Sequence, residues 1–506
     1  MRAVVDALEE LAYADVFELR RRATGQRRSS SQALVETLLD RVGTLDAPGT
    51  DTALRSVLAV SPDVLDQARA RDHEDPVGPL HGIPVLVKDN IEVAGLPSSA
   101  GATALLGRPP EADAPLVDRL RRAGAVILGT ANLSEWANIR SARSTSGWSA
   151  VGGLCGNPWA LDRSPGGSSS GSGAALAAGL VPLAVGTETD GSIICPASLN
   201  GVAGIKPALG AVPRSGIVPV SSSQDSAGPM ARTVDEVALL LEVLTATPGT
   251  LTRVRRGIGG LRIGVARTWR TGHPATDALF DETVERLRAG AGAGAGALAG
   301  AGSGAPPGAG AGAATVVEVE PPVPGPQEEE DELTVLLCEL LDGLAAYLPT
   351  RGPDGPQDLG EVVEHERRHA DVELAHFGHD FFERALELGG TRTDVYRAAR
   401  GRNLAWALDA CLLPATDGVD VLVAPTYGPA WKSDLVIGGH PGVNSPITTA
   451  PAIAGWPLAT APMGLVEGLP VGFGALGPPG SEALLLAVCR AVERPARPTW
   501  RPPGRG

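Results

Sequence analysis

Short β-branched apolar runs alternate with helical segments along most of this chain, and this alternation limits its possible folds more than any other feature. The run in "LHGIPVLVKDNIEV" (80–93) predicts a buried strand that ends in a turn at Asp89-Asn90. Similar strands are predicted after Gly124, in "LRIGVA" (261–266) and in "VLVAPT" (421–426). The pattern predicts an α/β fold with a single large mixed β-sheet flanked by helices on both faces.

Two segments depart from the alternation. Residues 1–75 are predicted to be N-terminal helices. Residues 289–314 are almost entirely Gly and Ala, a composition that cannot bury enough surface to offset its ordering entropy, so they are predicted to be a flexible surface insertion. "LRIGV" before the insertion and "VVEV" after it are expected to be neighbouring strands of one sheet. A single domain, 1–506, is therefore predicted.

Charge and cysteine content narrow the possible classes of protein. The formal net charge of −15 argues against a nucleic-acid partner and against docking on an anionic membrane. Five scattered cysteines without a C-x-x-C motif indicate a reducing compartment. The N-terminus has no secretory pattern, and no apolar run in the sequence approaches the roughly 18 residues of a membrane span. A cytoplasmic protein is expected.

Ser192 in "GTETDGSIICPAS" (186–198) is a candidate nucleophile that would need a base. No histidine lies in a pattern typical of a Ser-His-Asp site. Lys88, at the end of the run "GIPVLVK", is the other available base, because burial lowers the pKa of a lysine and favours its neutral form. An ion pair with Asp89 or a surface position is the alternative interpretation of Lys88.

The third candidate is the Gly- and Ser-rich stretch "RSPGGSSSGSGAA" (163–175). It opens a predicted helix, so its backbone N–H groups could hold an anion. No Gly-Lys-Ser/Thr follows, which excludes a phosphate loop of the usual kind. A plain flexible loop remains the alternative from this stretch alone.

Together these stretches resemble the amidase signature family. The chain has "HGIPVLVKDN", "SPGGSSSGSGAALAAG", "GTETDGSIICPASLNGVAGIKPA" and "SQDSAGPMARTVDEVA" in the family's order, and the resemblance runs from about residue 30 to about residue 490. "GTETDGS", "NLSEWANIRS" and "APTYGPAW" are most similar to the branch of peptide amidases, which remove a C-terminal amide from peptides. The resemblance implies the amidase signature fold and amide hydrolysis.

The resemblance also implies a role for each catalytic residue. Ser192 would be the nucleophile, and Lys88 would be the general base. Ser168, which in the family follows a cis peptide bond, would carry the proton between them. The site would need no metal and no cofactor.

Further positions match the family around this triad. The backbone N–H groups of Thr189, Asp190 and Gly191, together with that of Ser192, would form the oxyanion hole. The Asp190 side chain is expected to turn away and hydrogen-bond nearby backbone. Arg163 and Asp225 are expected to support the site through hydrogen bonds.

The predicted reaction is hydrolysis of a linear carboxamide to an acid plus ammonia or an amine, through an acyl-enzyme. The substrate is a small-molecule amide or a peptide amide, and the oligomeric state is left open. The candidate walls of the pocket are Trp136, Asn138, Trp148 and the stretch "YGPAW" (427–431) around Trp431.

Two other functions stay open. The family includes the amidotransferase subunit that acts on misacylated tRNA, which needs partner subunits and an ammonia supply. "HERRH" (365–369) matches H-E-x-x-H, which on a helix would place two histidines toward a zinc ion, with Glu366 as base. The region is rich in charged residues and lacks the metzincin extension, so a solvated helix face is the expected interpretation.

Overall fold

The computed structural model describes residues 10–24, 30–50, 52–290, 314–439, 445–496 and 501–503. Their strands are β1 Val57–Val60, β2 Pro84–Lys88, β3 Val126–Ala131, β4 Trp148–Ser149, β5 Gly153–Leu154, β6 Leu183–Glu188, β7 Ala203–Lys206, β8 Ser226–Ala231, β9 Arg262–Ala266, β10 Thr315–Val319, β11 Val421–Pro425, β12 Leu458–Val466 and β13 Leu469–Leu476.

The α-helices are α1 Val16–Thr24, α2 Ser31–Leu45, α3 Val64–His73, α4 Pro115–Arg122, α5 Ser170–Ala177, α6 Ile194–Asn200, α7 Val234–Thr245, α8 Thr250–Val254, α9 Pro274–Arg288, α10 Pro326–Tyr347, α11 Leu359–Arg368, α12 Ala370–Glu373, α13 Asp380–Leu388, α14 Asp394–Ala405, α15 Leu413–Thr416, α16 Thr449–Ile453 and α17 Glu482–Ala496. Short 3-10 turns include Glu135–Asn138 and Leu348–Arg351, and a π-helical stretch covers Trp406–Leu412.

Eleven strands form one sheet in the order β1-β3-β2-β6-β8-β7-β12-β13-β11-β9-β10, and β4 and β5 form a separate hairpin. The sheet is mixed: β2 runs parallel to β3 and β6, while β8 is antiparallel to β6 and β7. This confirms the predicted fold class.

Alternation along β2 shows how helices cover both faces of the sheet. Val85 and Val87 belong to an apolar cluster that includes residues of α7 and α17, whereas Leu86 between them belongs to a cluster that includes residues of α5. Successive side chains of a strand point to opposite faces, so each face buries its own set of helices.

The structure describes parts of the two segments, 1–75 and 289–314, that depart from the alternation of strands and helices. Residues 1–75 contain α1, α2 and α3, but they also contribute the edge strand β1, which the sequence prediction missed. The predicted neighbours around the insertion do pair, since β9 and β10 are parallel with Ile263 opposite Val316. Residues 291–313 of the predicted insertion lie outside the described residues, and the single domain stays a prediction.

Helix α10 and the turn after it, 326–351, are the one stretch of the described chain that is long and apolar enough to cross a membrane by length and composition. Its apolar residues Leu337, Leu340 and Leu344 are buried in a cluster with residues of α11 and α13. Packing of this kind is what the core helix of a globular protein shows.

Candidate active site

Lys88 is the last residue of β2, and its side chain is fully buried. Its Nζ lies 2.6 Å from Ser168 Oγ, 2.9 Å from Thr187 Oγ1 and 3.2 Å from the Thr187 carbonyl oxygen. Burial lowers the pKa of Lys88 to about 7, and the more distant negative charges of Asp225 and Glu188 oppose that shift. The amine can therefore lose its proton near neutral pH, as the sequence reasoning requires of a base.

Ser168 lies just before α5, and the peptide bond between Gly167 and Ser168 is cis. Its carbonyl oxygen accepts from Ser134 N at 3.0 Å. Neighbouring Ser169 donates its N–H to the carbonyl oxygen of Ser192 at 3.1 Å, which fixes the two serine segments side by side. Within the described residues no hydrogen bond joins the Ser168 and Ser192 hydroxyls, so that step of the relay belongs to the proposal below.

Ser192 lies in the tight turn between β6 and α6, and Glu188 holds that turn. The carboxylate of Glu188 accepts from the N–H groups of Ile193 at 2.7 Å and Ile194 at 2.9 Å, which are orphan donors at the start of the helix. Gly191 supplies a φ of +75°, a conformation that a residue with a Cβ rarely adopts. Gly191 also lies close to Tyr427. A side chain at position 191 would place its Cβ only 2.6 Å from Tyr427 Oη, which is too close for a normal contact.

The turn leaves its own backbone donors available. Outside helices and strands, no hydrogen bond of the described chain uses the N–H groups of residues 189–192. Such free N–H groups are the donors that an oxyanion hole requires. They lie next to Ser192, where the resemblance places an oxyanion hole formed by Thr189, Asp190 and Gly191, and that hole stays a prediction.

The Asp190 side chain differs from its prediction. No hydrogen bond joins it to backbone in the described part of the chain; its carboxylate faces the Thr448 hydroxyl and Lys206, and its Oδ1 has no partner there. Burial raises the pKa of Asp190, against the effect of those two neighbours. Asp190 is among the residues that line the cavity, but Thr448 and Lys206, which its carboxylate faces, are not. The side chain therefore points away from the cavity, and what differs from the prediction is its partner, a side chain instead of backbone.

A cavity of about 610 Å³ opens in front of Ser192. Of the candidate walls, Asn138, Tyr427 and Trp431 line this cavity, as Ser192 does. The prediction was wrong for the other two tryptophans. Trp136 packs edge-on against Phe382, and Trp148 packs edge-on against Phe377, so both are buried in the interior.

Backbone conformation explains why Asn138 reaches the cavity when Trp136 does not. Trp136, Ala137 and Asn138 have φ values of 48°, 54° and 75°, three successive left-handed residues without a glycine among them. Left-handed conformation costs energy for residues with a Cβ and recurs at functional sites. Sequence periodicity cannot reveal such a reversal.

The two predicted supporting residues act at different places. Asp225 accepts from Thr189 Oγ1 at 2.6 Å and from the N–H groups of Val220 and Ser221, and burial raises its pKa to about 6. Arg163 lies farther away and donates to the Ala430 carbonyl oxygen at 3.0 Å. Arg163 therefore supports the segment that carries the Trp431 wall, while Asp225 supports the turn at the nucleophile.

The "HERRH" stretch does not present a zinc site of the predicted kind. Helix α11 ends at Arg368, so His369 lies beyond it, and its ring stacks on that of His365 at 4.2 Å. Glu366 is fully buried and points away to His379, whose Nδ1 is 2.8 Å from its Oε2. The interpretation of the stretch as a solvated face was thus wrong for Glu366.

Glu366 belongs to a buried ionic group that we call the Arg140 cluster, formed by Arg140, Glu135, Glu366 and Glu373. The three carboxylates lie close enough together to hold a metal ion. The Arg140 guanidinium already pairs with Glu135 and lies 3.4 Å from Glu373 and 4.0 Å from Glu366. A side-chain cation thus already occupies the centre of the cluster, although Glu366 Oε1 has no hydrogen-bond partner among the described residues.

Sequence reasoning missed several residues around the triad. Thr187 hydrogen-bonds to Lys88, Glu188 caps the helix that follows Ser192, and Asn90 donates a hydrogen bond to Thr187. Thr187 and Glu188 lie inside the quoted "GTETDGS" motif, and Asn90 lies two positions after Lys88. Nearness to the motif residues was the signal that could have identified them.

Comparison with known proteins agrees with this geometry. A profile of the Amidase family matches residues 33–293. A probable amidase of Arabidopsis thaliana is 32% identical, covering 96% of this chain and 90% of that protein. A glutamyl-tRNA(Gln) amidotransferase subunit of Methanosarcina mazei is also 32% identical, covering 87% of this chain and 90% of that protein.

Solved structures are similar over almost the whole chain. The native peptide amidase from Stenotrophomonas maltophilia superposes with a TM-score of 0.86 at 39% identity, covering 97% of this chain and 99% of that one. A peptide amidase in complex with the competitive inhibitor chymostatin superposes with the same TM-score, identity and coverage. By its matched profile, its fold and its relatives, this chain belongs to the amidase signature family and is an amide-hydrolysing enzyme.

Proposed function

We propose that this enzyme removes the amide group from the C-terminus of peptides through an acyl-enzyme on Ser192, with Lys88 as base and Ser168 as relay. One observation carries the mechanism: a fully buried lysine, with its pKa lowered to about 7, lies 2.6 Å from a serine hydroxyl whose segment is bonded to that of a second, cavity-facing serine. A base that is half neutral at physiological pH suits general base catalysis.

The contacts of Lys88 fit a neutral amine. Its two N–H groups donate to the carbonyl oxygen and the hydroxyl of Thr187, and its lone pair is then free to accept the Ser168 hydroxyl hydrogen. Ser168 can in turn take the proton of Ser192 as that oxygen attacks the substrate carbonyl. The proton moves from Ser192 to Ser168 while the Ser168 hydrogen moves to Lys88.

The turn before α6 would stabilise the charge that develops. The substrate oxygen becomes an oxyanion next to the free N–H groups of residues 189–192, where a single donor is typically worth about 2.7–4 kcal/mol. Lys88 then returns its proton through Ser168 to the leaving nitrogen, and ammonia departs. Water attacks the acyl-enzyme by the same relay and releases the peptide acid.

The substrate class rests on the comparison and on the cavity. The similar Stenotrophomonas maltophilia enzyme is a peptide amidase, and its fold covers nearly this whole chain. The cavity of about 610 Å³ in front of Ser192 lies in the size range of ligand sites, with Phe381 and Trp431 as apolar walls. We expect a peptide end to enter along these walls.

The test is ammonia release from matched substrates. Peptide amides, the same peptides as free acids, and simple aliphatic and aryl amides are incubated with the purified chain, and the products are identified by mass spectrometry. We expect the peptide amides to give the highest kcat/KM and Ser192→Ala to give none. Equal or better turnover of simple amides would contradict the peptide assignment, while activity in Ser192→Ala would contradict the mechanism.

An amidotransferase component is the second candidate, and the 32% identity to the Methanosarcina mazei amidotransferase subunit favours keeping it. That function requires an ammonia supply, so free glutamine is tested as an amide donor beside the peptide amides. Ammonia release from glutamine that exceeds release from peptide amides would favour this candidate over ours.

A further inference from the structure

A second cavity of about 300 Å³ is lined by Thr187, which accepts a hydrogen bond from Lys88. We call it the rear cavity. Its walls include Asn90, Thr187, Thr189 and Asp225, with Arg214 farther out in the same lining. Ala137, Thr189 and Val220 line both cavities, so they form the partition between the rear cavity and the substrate side. The nucleophile Ser192 lines only the substrate side.

Asn90 connects the rear cavity to the base. It is only 2% exposed, and its Nδ2 donates to Thr187 Oγ1 at 3.0 Å, the same oxygen that accepts from Lys88. Its Oδ1 has no partner among the described residues. Turning the amide over would leave the nitrogen unpaired instead, so either orientation offers one unpaired polar atom.

A buried, unpaired amide atom at the wall of a cavity that also carries other polar groups indicates bound water. Buried polar groups are nearly always hydrogen-bonded, and a cavity holds water when it has room and several polar partners. The Asn90 amide, the Asp225 carboxylate and the Thr189 hydroxyl supply such partners. The volume is large enough for several water molecules.

We propose that the rear cavity holds ordered water that exchanges the proton of Lys88 with solvent through the Thr187 hydroxyl, with Asn90 as a positioning residue. This route rests on the proposed role of Lys88. Thr187 Oγ1 takes one proton from the Lys88 ammonium while its own hydroxyl hydrogen passes to a cavity water. The water passes a proton on to a buffer base in the solvent, leaving a neutral amine and an unchanged threonine.

This proton route matters when substrate fills the cavity in front of Ser192. Below about pH 7 most Lys88 side chains carry a proton, which must leave before Ser192 can attack. Asp225 and Glu188 are the negative groups that act on Lys88, and both favour keeping that proton. When substrate covers the cavity in front of Ser192, the rear cavity gives the Lys88 proton a separate path to solvent.

The first experiment replaces Asn90 by leucine. We expect Asn90→Leu to lower kcat at pH 6 by about tenfold, less than the roughly 10²–10⁴-fold effect of losing a general base. Near pH 8.5 kcat should stay within about twofold of wild type, because Lys88 is already neutral there, and KM should not change. Increasing concentrations of imidazole, a small proton carrier, should restore kcat at pH 6.

A matched control is Asn403→Leu. Asn403 is also fully buried, and both of its amide atoms lack partners within the described chain, but it lines neither cavity. Loss of activity from poor packing alone would be similar at both pH values and would not respond to imidazole. If Asn90→Leu behaved in that way, the route would be wrong.

A second measurement needs no variant. A high-resolution crystal structure of the wild-type enzyme should show water within hydrogen-bond distance of the Asn90 amide, and a dry cavity would overturn the proposal. The variant Lys88→Ala distinguishes a failure of the proposed function from a failure of the water route. Full activity in Lys88→Ala would overturn the proposed function, whereas an inactive Lys88→Ala with an Asn90→Leu that matches wild type at pH 6 would overturn only the route.

Discussion

Lys88 and Arg140 are both fully buried cations, but their surroundings are opposite. Among the described residues, the hydrogen-bond partners of Lys88 are all neutral oxygen atoms, those of Ser168 and Thr187. Arg140 lies among three carboxylates of the Arg140 cluster and under the ring of Phe377, 4.5 Å from its centre. The lysine is left to lose its charge near neutral pH, whereas the arginine is surrounded by groups of opposite charge.

This contrast indicates where a fold can place a titrating group. A buried amine with only dipolar partners relieves its desolvation cost by releasing its proton, which makes it a base. A buried guanidinium cannot do so and needs anions around it, which makes it a structural tie. In this chain the tie joins the turn 135–138, which carries the cavity residue Asn138, to α11 and α12.

Replacing the lysine, in Lys88→Met, should cause the most severe loss. We expect kcat/KM to fall by roughly 10²–10⁴-fold, while the unfolding midpoint in denaturant stays the same or rises because a buried amine is removed. Lys206→Met is the control, since Lys206 is equally buried but its hydrogen bonds within the described chain are to the carbonyl oxygens of Trp456 and Pro451. Its loss of kcat/KM should be at least about tenfold smaller than that of Lys88→Met. Equal losses would remove the distinction between the two lysines.

Arg140→Met tests the arginine in the same way. Removing the cation leaves Glu135, Glu366 and Glu373 buried without it, so we expect a loss of about 3–5 kcal/mol in the free energy of unfolding by urea titration. The loss should shrink between pH 8 and pH 5, because protonated carboxyls are tolerated in the interior. Arg367→Met, at an exposed arginine paired with Glu364, should leave the free energy nearly unchanged. A loss that is the same at both pH values would contradict the ionic explanation.

A smaller effect is expected from removing the negative charge of Asp225, which acts on Lys88 from a distance. Because the base must be neutral, kcat/KM should rise with pH through about 7. The negative charge of Asp225 raises the pKa of Lys88, so Asp225→Asn should move that rise to lower pH, by less than about one unit. The measurement is a pH profile of both enzymes in constant ionic strength. A shift toward higher pH would show that the charge of Asp225 does not act on Lys88 as described.

The weakest change should come from the surplus of acids in the Arg140 cluster. Glu373→Gln keeps an oxygen to accept from Thr103 N, a bond of 2.7 Å, and removes one of three negative charges facing a single cation. We expect the free energy of unfolding to change by less than about 1.5 kcal/mol, the net worth of an ordinary hydrogen bond. A loss as large as that of Arg140→Met would mean that the third carboxylate is as necessary as the arginine.

These two regions also mark what the sequence could predict. The triad residues and the turn at 189–192 lie in short motifs, so a resemblance placed them, and the structure brings Lys88 and Ser168 into contact. The Arg140 cluster joins residues more than 200 positions apart, such as Glu135 and Glu373, and no local pattern encodes such a pairing. The wrong assignments of Trp136 and Trp148 have the same origin, because burial of an aromatic ring is decided by partners distant in the chain.

The contact between Gly191 and Tyr427 bears on how the enzyme is synthesised. All three residues of the proposed triad are translated within the first 192 positions, yet the wall formed by Tyr427 and Trp431 emerges from the ribosome more than 230 residues later. A nascent polypeptide thus has its reactive serine long before it has a place to seat a substrate. In this order of synthesis, the wall of the cavity is completed by residues that are translated well after the proposed nucleophile.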